Sequence, residues 1–358
     1  MGAFLEAVGS LRPVDNRLLE AARQWHLKLT KPAGSLGVLE EIGARMCAMA
    51  ARVPPPLAEP AAVAVFAADH GVLSQGVSPW PAEVTAQMVA NFLGGGAAIN
   101  VIAKAAGADL TVVDIGIASD PGRGENLVSK KVRRGTADIT QGDAMTPDEA
   151  MAALDAGAEV AAELLARGAR CLVCGDMGIG NTTPSAALVA AFSGQQPEAV
   201  TGRGTGIDDD MWAVKVEAVR RAVARHGWQG PSGAEAAAAD PLAVLAAVGG
   251  LEHAGIAGFA MAGAAGGVPV LLDGLISSSA ALVAAAVAPA VTGYLLAGHR
   301  SVEPGASIAL SMLGLDPILD LGMRLGEGSG ACLALPVVQV AARIMSEMAT
   351  FDSAGIKG

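Results

Sequence analysis

The stretch Ala169-Arg-Cys-Leu-Val-Cys-Gly-Asp-Met-Gly178 is an apolar run that ends in an acid and a glycine. The same pattern recurs at Ala62–Ala67 before Asp69-His70-Gly71, at Leu110–Val113 before Asp114-Ile115-Gly116, and at Val268–Leu272 before Asp273-Gly274. These short runs predict strands, and the breaker-poor stretches Pro147–Arg167 and Ser277–Val287 predict helices between them. Their alternation indicates an α/β fold with a largely parallel sheet. Because parallel strands end at one edge of the sheet, the recurring acids and glycines predict a shared site there.

The two ends of the chain differ from this pattern. Arg17–Leu29 and Leu36–Ala50 have helical periodicity, and Val53-Pro-Pro-Pro56 is typical of a linker. After Arg300 the pattern is helical again, most clearly at Pro336–Met348. We therefore expect residues 57–300 to form the α/β domain, and residues 1–56 and 301–358 to pack together as a small helical domain.

Composition and charge exclude several classes of function. The chain has 24 Lys and Arg against 35 Asp and Glu, a formal charge of -11 that repels nucleic acids, and no basic stripe counters it. The longest apolar run, Ala280–Val291, is shorter than the ~20 residues of a membrane span and contains Pro289. The first residues lack the basic start and long apolar region of a signal peptide. We expect a cytoplasmic protein that binds neither nucleic acid nor membrane.

One cysteine pair has a spacing that redox and zinc sites share. Cys171 and Cys174 form a C-x-x-C motif, but it lies inside an apolar run and no second Cys/His pair at zinc spacing accompanies it. Cys47 and Cys332 are isolated in sequence. Buried small side chains in a reducing compartment explain these cysteines better than a metal or redox site.

Two glycine-rich segments stand out in the middle of the chain, and the first is a candidate for anion binding. The first is Gly178-Ile-Gly180-Asn181-Thr182-Thr183-Pro184, which follows a predicted strand and precedes an apolar run. Its amides and hydroxyls can face an anion at a helix N-terminus, although an ordinary capped loop would have the same composition. The second is Gly202-Arg-Gly-Thr-Gly206, which leads through an acidic triplet to Lys215. It matches neither a dinucleotide fingerprint nor a Walker A loop.

A third glycine-rich segment, Arg324-Leu-Gly-Glu-Gly-Ser-Gly-Ala331, places Glu327 between glycines in apolar surroundings. A carboxylate held in this way can act as a general base with a raised pKa, and a solvated turn is the alternative. Asp69-His70-Gly71 suggests a hydrolase, but no G-x-S-x-G elbow accompanies it. Trp80 and Met88 either pack in the core or form the wall of a pocket for a flat aromatic ligand.

These motifs together resemble those of one family. The chain carries, in this order, Lys31-Pro-Ala-Gly-Ser-Leu-Gly-Val-Leu-Glu40, Ala68-Asp-His-Gly71, Val84-Thr-Ala86, Val113-Asp-Ile-Gly116, Gly178–Pro184, Val270-Leu-Leu-Asp-Gly274 and Arg324–Ala331. In this it is similar to the nicotinate-nucleotide–dimethylbenzimidazole phosphoribosyltransferases, which move ribose 5-phosphate from nicotinate mononucleotide to a benzimidazole base for the lower ligand of cobamides. The resemblance implies a Rossmann-like, doubly wound sheet, a small domain from both chain ends, a homodimer, and no metal or redox cofactor.

The resemblance also implies roles for individual residues. Glu327 would be the general base and Asp176 a second catalytic carboxylate. The substrate-binding residues would be Gly178, Gly180, Asn181, Thr182, Thr183, Gly204, Lys215, Ser301, Leu325 and Gly326, with Trp80 and Met88 beside the acceptor base.

Two departures from the family pattern bear on the site. Asp176 stands where members commonly carry Glu, which shortens the carboxylate arm by one methylene. Trp80 and Met88 stand where better-known members place Ser and Gln, with Ser78 and Gln87 nearby but shifted. Two alternatives therefore stay open at this stage: a transferase of the same family with another acceptor, and a protein that binds nicotinate nucleotide without turnover.

Overall fold

The structure, a computed structural model, describes residues 2–356 and contains a parallel sheet of seven strands. The strands are β1 (Ala61–Ala68), β2 (Ala108–Gly116), β3 (Leu127–Ser129), β4 (Cys171–Met177), β5 (Val270–Leu272), β6 (Leu295–His299) and β7 (Pro317–Leu319). Their spatial order is β3-β2-β1-β4-β5-β6-β7. This is the order of a doubly wound sheet, in which the winding direction reverses between β1 and β4.

Helices cover both faces of the sheet, since every residue of the central strand β1 is buried. The helices are α1 (Ala3–Ser10), α2 (Asn16–Lys28), α3 (Val38–Met49), α4 (Glu83–Leu93), α5 (Ala98–Ala106), α6 (Pro147–Ala166), α7 (Thr182–Ser193), α8 (Pro197–Val200), α9 (Asp209–Ala224), α10 (Gly230–Ala239), α11 (Pro241–Val248), α12 (Leu251–Ala265), α13 (Leu275–Val287), α14 (Pro304–Leu313), α15 (Ser329–Glu347) and α16 (Phe351–Ala354), with 3₁₀ turns at Gly71–Gln75 and Pro289–Tyr294. The core they enclose consists mainly of Ala, Val, Leu and Ile. The predicted Rossmann-like α/β fold is confirmed.

The four predicted strands are all present as β1, β2, β4 and β5. Three further strands, β3, β6 and β7, were not predicted, because each lies in an apolar run shorter than Val268–Leu272, the run that indicates the three-residue β5. Such short runs offer too few positions for an alternating or apolar pattern to be recognised. The predicted helix at Pro336–Met348 begins earlier than expected, at Ser329, and contains Pro336 in its interior.

The two ends of the chain contact each other. The indole N–H of Trp25 donates to the Met345 carbonyl (2.9 Å), and the Thr30 N–H donates to the Ala349 carbonyl (3.0 Å). The region 301–358 is not wholly helical as expected, because β7 extends the sheet within it. The first residue of β7 is Pro317, which an edge strand tolerates because its backbone nitrogen need not donate a hydrogen bond to a neighbouring strand. The division at residues 56 and 300 stays a prediction, and its positions 1, 357 and 358 lie outside the described residues.

Two helical stretches, Glu83–Ala106 and Ser329–Glu347, are long and apolar enough to cross a membrane. The first is divided into α4 and α5 by a turn at residues 94–97, so it is not one continuous helix. The second, α15, packs against α3, α5 and the sheet. The apolar residues of α15 therefore serve largely the packing of the α/β fold.

Candidate active site

A cavity of about 450 Å³ opens at the carboxyl edge of the sheet. The segments that follow β1, β4, β5, β6 and β7 supply its walls. This is the edge at which open α/β sheets bind ligands. The cavity brings together nearly all the site residues expected from the sequence: Trp80, Met88, Asp176, Gly178, Gly180, Asn181, Thr182, Gly204, Lys215, Ser301, Leu325, Gly326 and Glu327.

Thr183 is the expected site residue that does not line the cavity. Its side chain is fully buried, and its backbone N–H donates to the Gly180 carbonyl (3.0 Å). Thr183 lies in the first turn of α7, where a side chain one position after Thr182 points to a different face of the helix. Thr183 thus lies behind the cavity wall in this structure, and its contact with substrate stays a prediction.

The loop that carries Glu327 has an unusual backbone. Gly326, Glu327 and Gly328 have φ values of 83°, 64° and 84°, all in the left-handed region. For Glu327 this conformation costs roughly 1–2 kcal/mol, so the surrounding contacts must hold it. The Asp273 carboxylate supplies two of them, since it accepts from the N–H groups of Gly328 (3.2 Å) and Ala331 (2.9 Å) at the start of α15. The strained loop is thus tied to the end of β5.

The Glu327 carboxyl group is buried against the start of α5. Its Oε2 accepts a long hydrogen bond from the Ile99 N–H (3.4 Å), which belongs to the first turn of that helix. Burial raises the pKa of Glu327, the Ile99 N–H opposes this, and the Asp273 carboxylate adds to the increase. A carboxylate with a raised pKa is a stronger base than a solvated one, which suits proton removal from a weakly acidic N–H.

Asp176 lies beside this loop, at the end of β4. Oδ1 of Asp176 accepts a hydrogen bond from Asn181 Nδ2 (3.0 Å). A Cβ atom at position 326 would lie 3.0 Å from the same oxygen, so glycine at this position allows the Glu327 loop to approach Asp176. Burial, followed by the charges of Asp273 and Glu252, raises the pKa of Asp176 well above its usual value. The protonated form of Asp176 is therefore favoured beside Glu327.

Lys215 joins the two glycine-rich loops on the other side of the cavity. Its ammonium group donates to Thr182 Oγ1 (2.8 Å) and to the Gly202 carbonyl (3.1 Å). Burial lowers the pKa of Lys215 to about 8, and the nearby Glu303 carboxylate opposes this. A further anion in the cavity would therefore stabilise the charged form of Lys215.

The remaining wall is apolar and lies nearer the solvent. Trp80 is 51% exposed and Leu325 is 54% exposed, and both line the cavity together with the half-buried Met88 of α4. Exposing such large apolar side chains to water costs free energy, which a ligand that covers them would recover. This wall can cover the face of a flat apolar ligand.

Several cavity residues were missed from the sequence. His299 ends β6, and its Nε2 lies 3.4 Å from Asp273 Oδ1. Burial lowers the pKa of His299, but the hydrogen bond and charge of Asp273 outweigh it and raise that pKa overall. Glu303 follows, and its Oε1 accepts from the Gly204 N–H (2.8 Å). The signal was the apolar run Leu295–Ala297 before Gly-His-Arg-Ser, a further strand that ends in polar residues.

The cysteines take no part in this site. All four are buried and free, as expected. Burial raises the pKa of Cys47 and of Cys332 to about 12 and raises that of Cys171 and Cys174 further. The thiolate forms that redox chemistry and metal binding require are therefore disfavoured.

Comparison with known proteins decides the family. A family model described as "Phosphoribosyltransferase" matches residues 11–356. A nicotinate-nucleotide–dimethylbenzimidazole phosphoribosyltransferase of Salinispora tropica is 55% identical over 97% of this chain and 97% of its own length, and one of Chloroflexus aggregans is 49% identical over 99% and 98%. The crystal structure of the enzyme so named from Thermus thermophilus superposes with a TM-score of 0.88 at 48% identity, covering 96% of this chain and 99% of that one.

This chain belongs to the nicotinate-nucleotide–dimethylbenzimidazole phosphoribosyltransferase family. It is therefore an enzyme, a phosphoribosyltransferase, and the alternative of a binding protein without turnover is set aside. Family membership agrees with the geometry, since phosphoribosyl transfer needs an anion site, a pocket for a base and a means of moving a proton. The cavity offers a lysine with glycine-rich loops, an apolar wall and a buried carboxylate.

Proposed function

We propose that this enzyme transfers ribose 5-phosphate from nicotinate mononucleotide to 5,6-dimethylbenzimidazole or a related base. The products would be nicotinate and α-ribazole 5′-phosphate, the precursor of the lower ligand of cobamides. The observation that carries the proposal is the buried Glu327 carboxyl group, held on a strained loop above a cavity that also contains Lys215.

The phosphate of the nucleotide belongs at the loop 178–182. This loop follows β4 and leads into α7, so its amides and the positive end of the helix dipole favour an anion. The Lys215 ammonium group, 2.8 Å from Thr182 Oγ1, adds a full charge at the same place. Ser301 and the backbone around Gly204 lie on the same side of the cavity. The nucleotide therefore occupies the polar end.

The acceptor base belongs between the apolar wall and Glu327. One benzimidazole nitrogen attacks C1′ of the ribose while the other nitrogen carries a proton that must leave. Glu327 would accept that proton from a distance of ~2.6–3.2 Å as the new bond forms, a role worth ~10²–10⁴ in rate. Its raised pKa makes it a better acceptor of this proton than an exposed carboxylate would be.

The leaving group needs no acid. The pyridinium nitrogen of nicotinate mononucleotide leaves as the neutral nitrogen of nicotinate when the C1′–N bond breaks, through an oxocarbenium-like state. Attack from the opposite face inverts C1′ and forms the α-riboside. The protonated form of Asp176 that its surroundings favour would hydrogen-bond within the site rather than serve as a second base. Positioning of the two substrates supplies much of the remaining acceleration.

The deciding experiment is incubation of the enzyme with nicotinate mononucleotide and 5,6-dimethylbenzimidazole, followed by analysis for free nicotinate and an α-riboside phosphate. The expected result is one equivalent of each. Parallel reactions with a purine, other benzimidazoles and phenolic compounds would identify the preferred acceptor, because Trp80 and Met88 differ from the polar residues of better-known members. Release of nicotinate without a riboside would overturn the proposal.

We further propose that the enzyme acts as a cytoplasmic homodimer whose interface lies near the acceptor wall. The exposed side chains of Trp80 and Leu325 at the cavity mouth support this arrangement, because a second subunit would shield them from water. Light scattering at micromolar concentration should give twice the mass of the 35.5 kDa chain. A fully active monomer would contradict it.

A further inference from the structure

A buried polar cluster lies beneath the nucleotide loop, outside the cavity. It consists of His70, Ser185, Glu252 and His253, each at most 5% exposed. One carboxylate oxygen, Glu252 Oε1, lies 2.7 Å from His70 Nε2 and 3.2 Å from His253 Nδ1. None of these residues lines the cavity, and the reaction proposed above does not use them.

The cluster carries charge in the core. Burial raises the pKa of Glu252, but the two histidines outweigh it and lower that pKa overall. Burial lowers the pKa of His70, and the Glu252 carboxylate outweighs it in turn. The ring nitrogens of His70 and His253 lie close to the carboxylate but are poorly directed for hydrogen bonds. Since buried ion pairs add little net stability, a role in positioning neighbouring groups is the better explanation.

Proton directions connect the cluster to the nucleotide loop. Ser185 Oγ donates to the Asn181 carbonyl (2.8 Å), which can only accept. A hydroxyl has a single proton, so at its 2.7 Å contact with His253 Nε2 the same Oγ must accept the ring N–H. Nε2 of His253 therefore carries a proton, and Nδ1 of the same ring lies on the Glu252 side. Asn181 in turn donates from Nδ2 to Asp176 in the cavity wall (3.0 Å).

The loop also packs directly on the cluster. A Cβ at Gly178 would lie 3.1 Å from His70 Nε2 and 2.4 Å from the Ala68 carbonyl, so only glycine lets the loop lie this close. The first residue of the loop rests on His70, and the start of α7 is held by Ser185. Both ends of the anion-binding backbone are thus fixed from the core side.

We propose that Ser185, His253 and Glu252 are positioning residues for the nucleotide, acting through Asn181 on the amides of the loop 178–182. This inference rests on the proposed function, in which that loop binds the nucleotide phosphate. Because these residues do not touch the acceptor or Glu327, their loss lowers nucleotide affinity and leaves proton transfer intact.

The test compares Ser185→Ala with Ser279→Ala. Both serines are fully buried in helices, and Ser279 Oγ donates to the Ile276 carbonyl (2.9 Å) in α13; Ile276 lines the cavity, but Ser279 itself belongs neither to the cavity nor to the cluster. For each variant one measures the Kd of nicotinate mononucleotide by calorimetry, the KM of both substrates, kcat at saturation and Tm. Ser185→Ala should raise the Kd and KM of the nucleotide about fivefold, with kcat and the acceptor KM unchanged, whereas Ser279→Ala should alter Tm alone.

Two results would overturn the inference: a nucleotide Kd for Ser185→Ala within the error of the wild-type value, or an equal increase in Ser279→Ala. Failure of the proposed function gives a different result, namely nucleotide binding by the wild-type enzyme without riboside formation. In that case the calorimetric comparison still decides the positioning role. A wild-type enzyme that does not bind nicotinate mononucleotide would overturn both.

Discussion

The two ends of the cavity differ in the polarity and the burial of their side chains. At the polar end, the nucleotide end of our proposal, Lys215, Thr182 and Glu303 are buried or half-buried and form hydrogen bonds of 2.8–3.1 Å with the glycine-rich loops. At the acceptor end, Trp80 and Leu325 are each more than half exposed and offer apolar surface. One end is organised before any ligand arrives, whereas the other leaves apolar surface that a bound base and a second subunit would cover under the proposals above.

This difference has consequences for specificity. A site built from oriented polar groups rejects an analogue that leaves those groups unpaired, often by ~10⁴ or more, whereas an apolar pocket distinguishes one methylene by only ~10–200-fold. We therefore expect strict selection of the nucleotide and graded selection of the acceptor. The following experiments test that contrast.

The largest effect is expected for Glu327→Gln, which keeps the size of the side chain and removes the base. Turnover with dimethylbenzimidazole should fall by ~10²–10⁴ while the nucleotide Kd stays the same. Asp176→Asn should lose less, because Asp176 is favoured in its protonated form. The deficit of Glu327→Gln should shrink with more acidic acceptors, or as pH approaches the acceptor's own pKa. A near-normal rate, or loss of nucleotide affinity instead, would show that Glu327 is not the base.

Lys215→Met should weaken the binding of the nucleotide and leave the binding of the acceptor unchanged. Loss of a charged hydrogen-bond donor is worth ~1.5–3 kcal/mol, so the nucleotide Kd should rise roughly 10–100-fold with little change in acceptor KM. The control is Lys104→Met, which removes an exposed lysine near the end of α5. The Tm of Lys215→Met should equal or exceed that of the wild-type enzyme, since burial already disfavours the Lys215 charge. An equal loss in acceptor affinity would refute the separation of the two ends.

The profile of kcat/KM against pH should have an alkaline limb that reports Lys215 and an acid limb that reports Glu327. As pH rises through about 8, Lys215 in the free enzyme loses its proton, so nucleotide binding weakens by up to about tenfold per pH unit. As pH falls through the raised pKa of Glu327, the base becomes protonated and the rate declines earlier than an ordinary carboxylate would cause. The alkaline limb should disappear in Lys215→Met. Its persistence there would assign it to another group.

The smallest effect is expected for Trp80→Ala. An aromatic contact with the acceptor is worth ~0.5–1.5 kcal/mol beyond area burial, so the acceptor KM should rise roughly 2–12-fold with an unchanged nucleotide KM. Leu321→Ala, at an equally exposed apolar residue away from the cavity, serves as the control. If Trp80→Ala raises the nucleotide KM instead, the acceptor does not lie against this wall.

Much of the fold and site followed from local pattern. Four strands, five of the helices and the recurring acids and glycines at the strand ends were recognisable, because each element needs only its own run of residues. The edge strands β3 and β7 and the short β6 were not, since their apolar runs are shorter than the run Val268–Leu272 that indicates β5. Missing β6 concealed His299 and Glu303, which extend the polar end of the cavity.

By itself, the sequence determined the family and the parallel α/β architecture, and it predicted the loop 178–183 and Glu327 as site residues. Only the tertiary structure decided which groups face one another. Ile99 meets Glu327 across 228 positions of sequence, Thr183 turns into the core, and His70 joins Glu252 below the loop. The physical reason is that local pattern records a residue's preference for burial or exposure, whereas the partner of a buried polar group depends on strand order, register and helix packing, which the whole chain sets together.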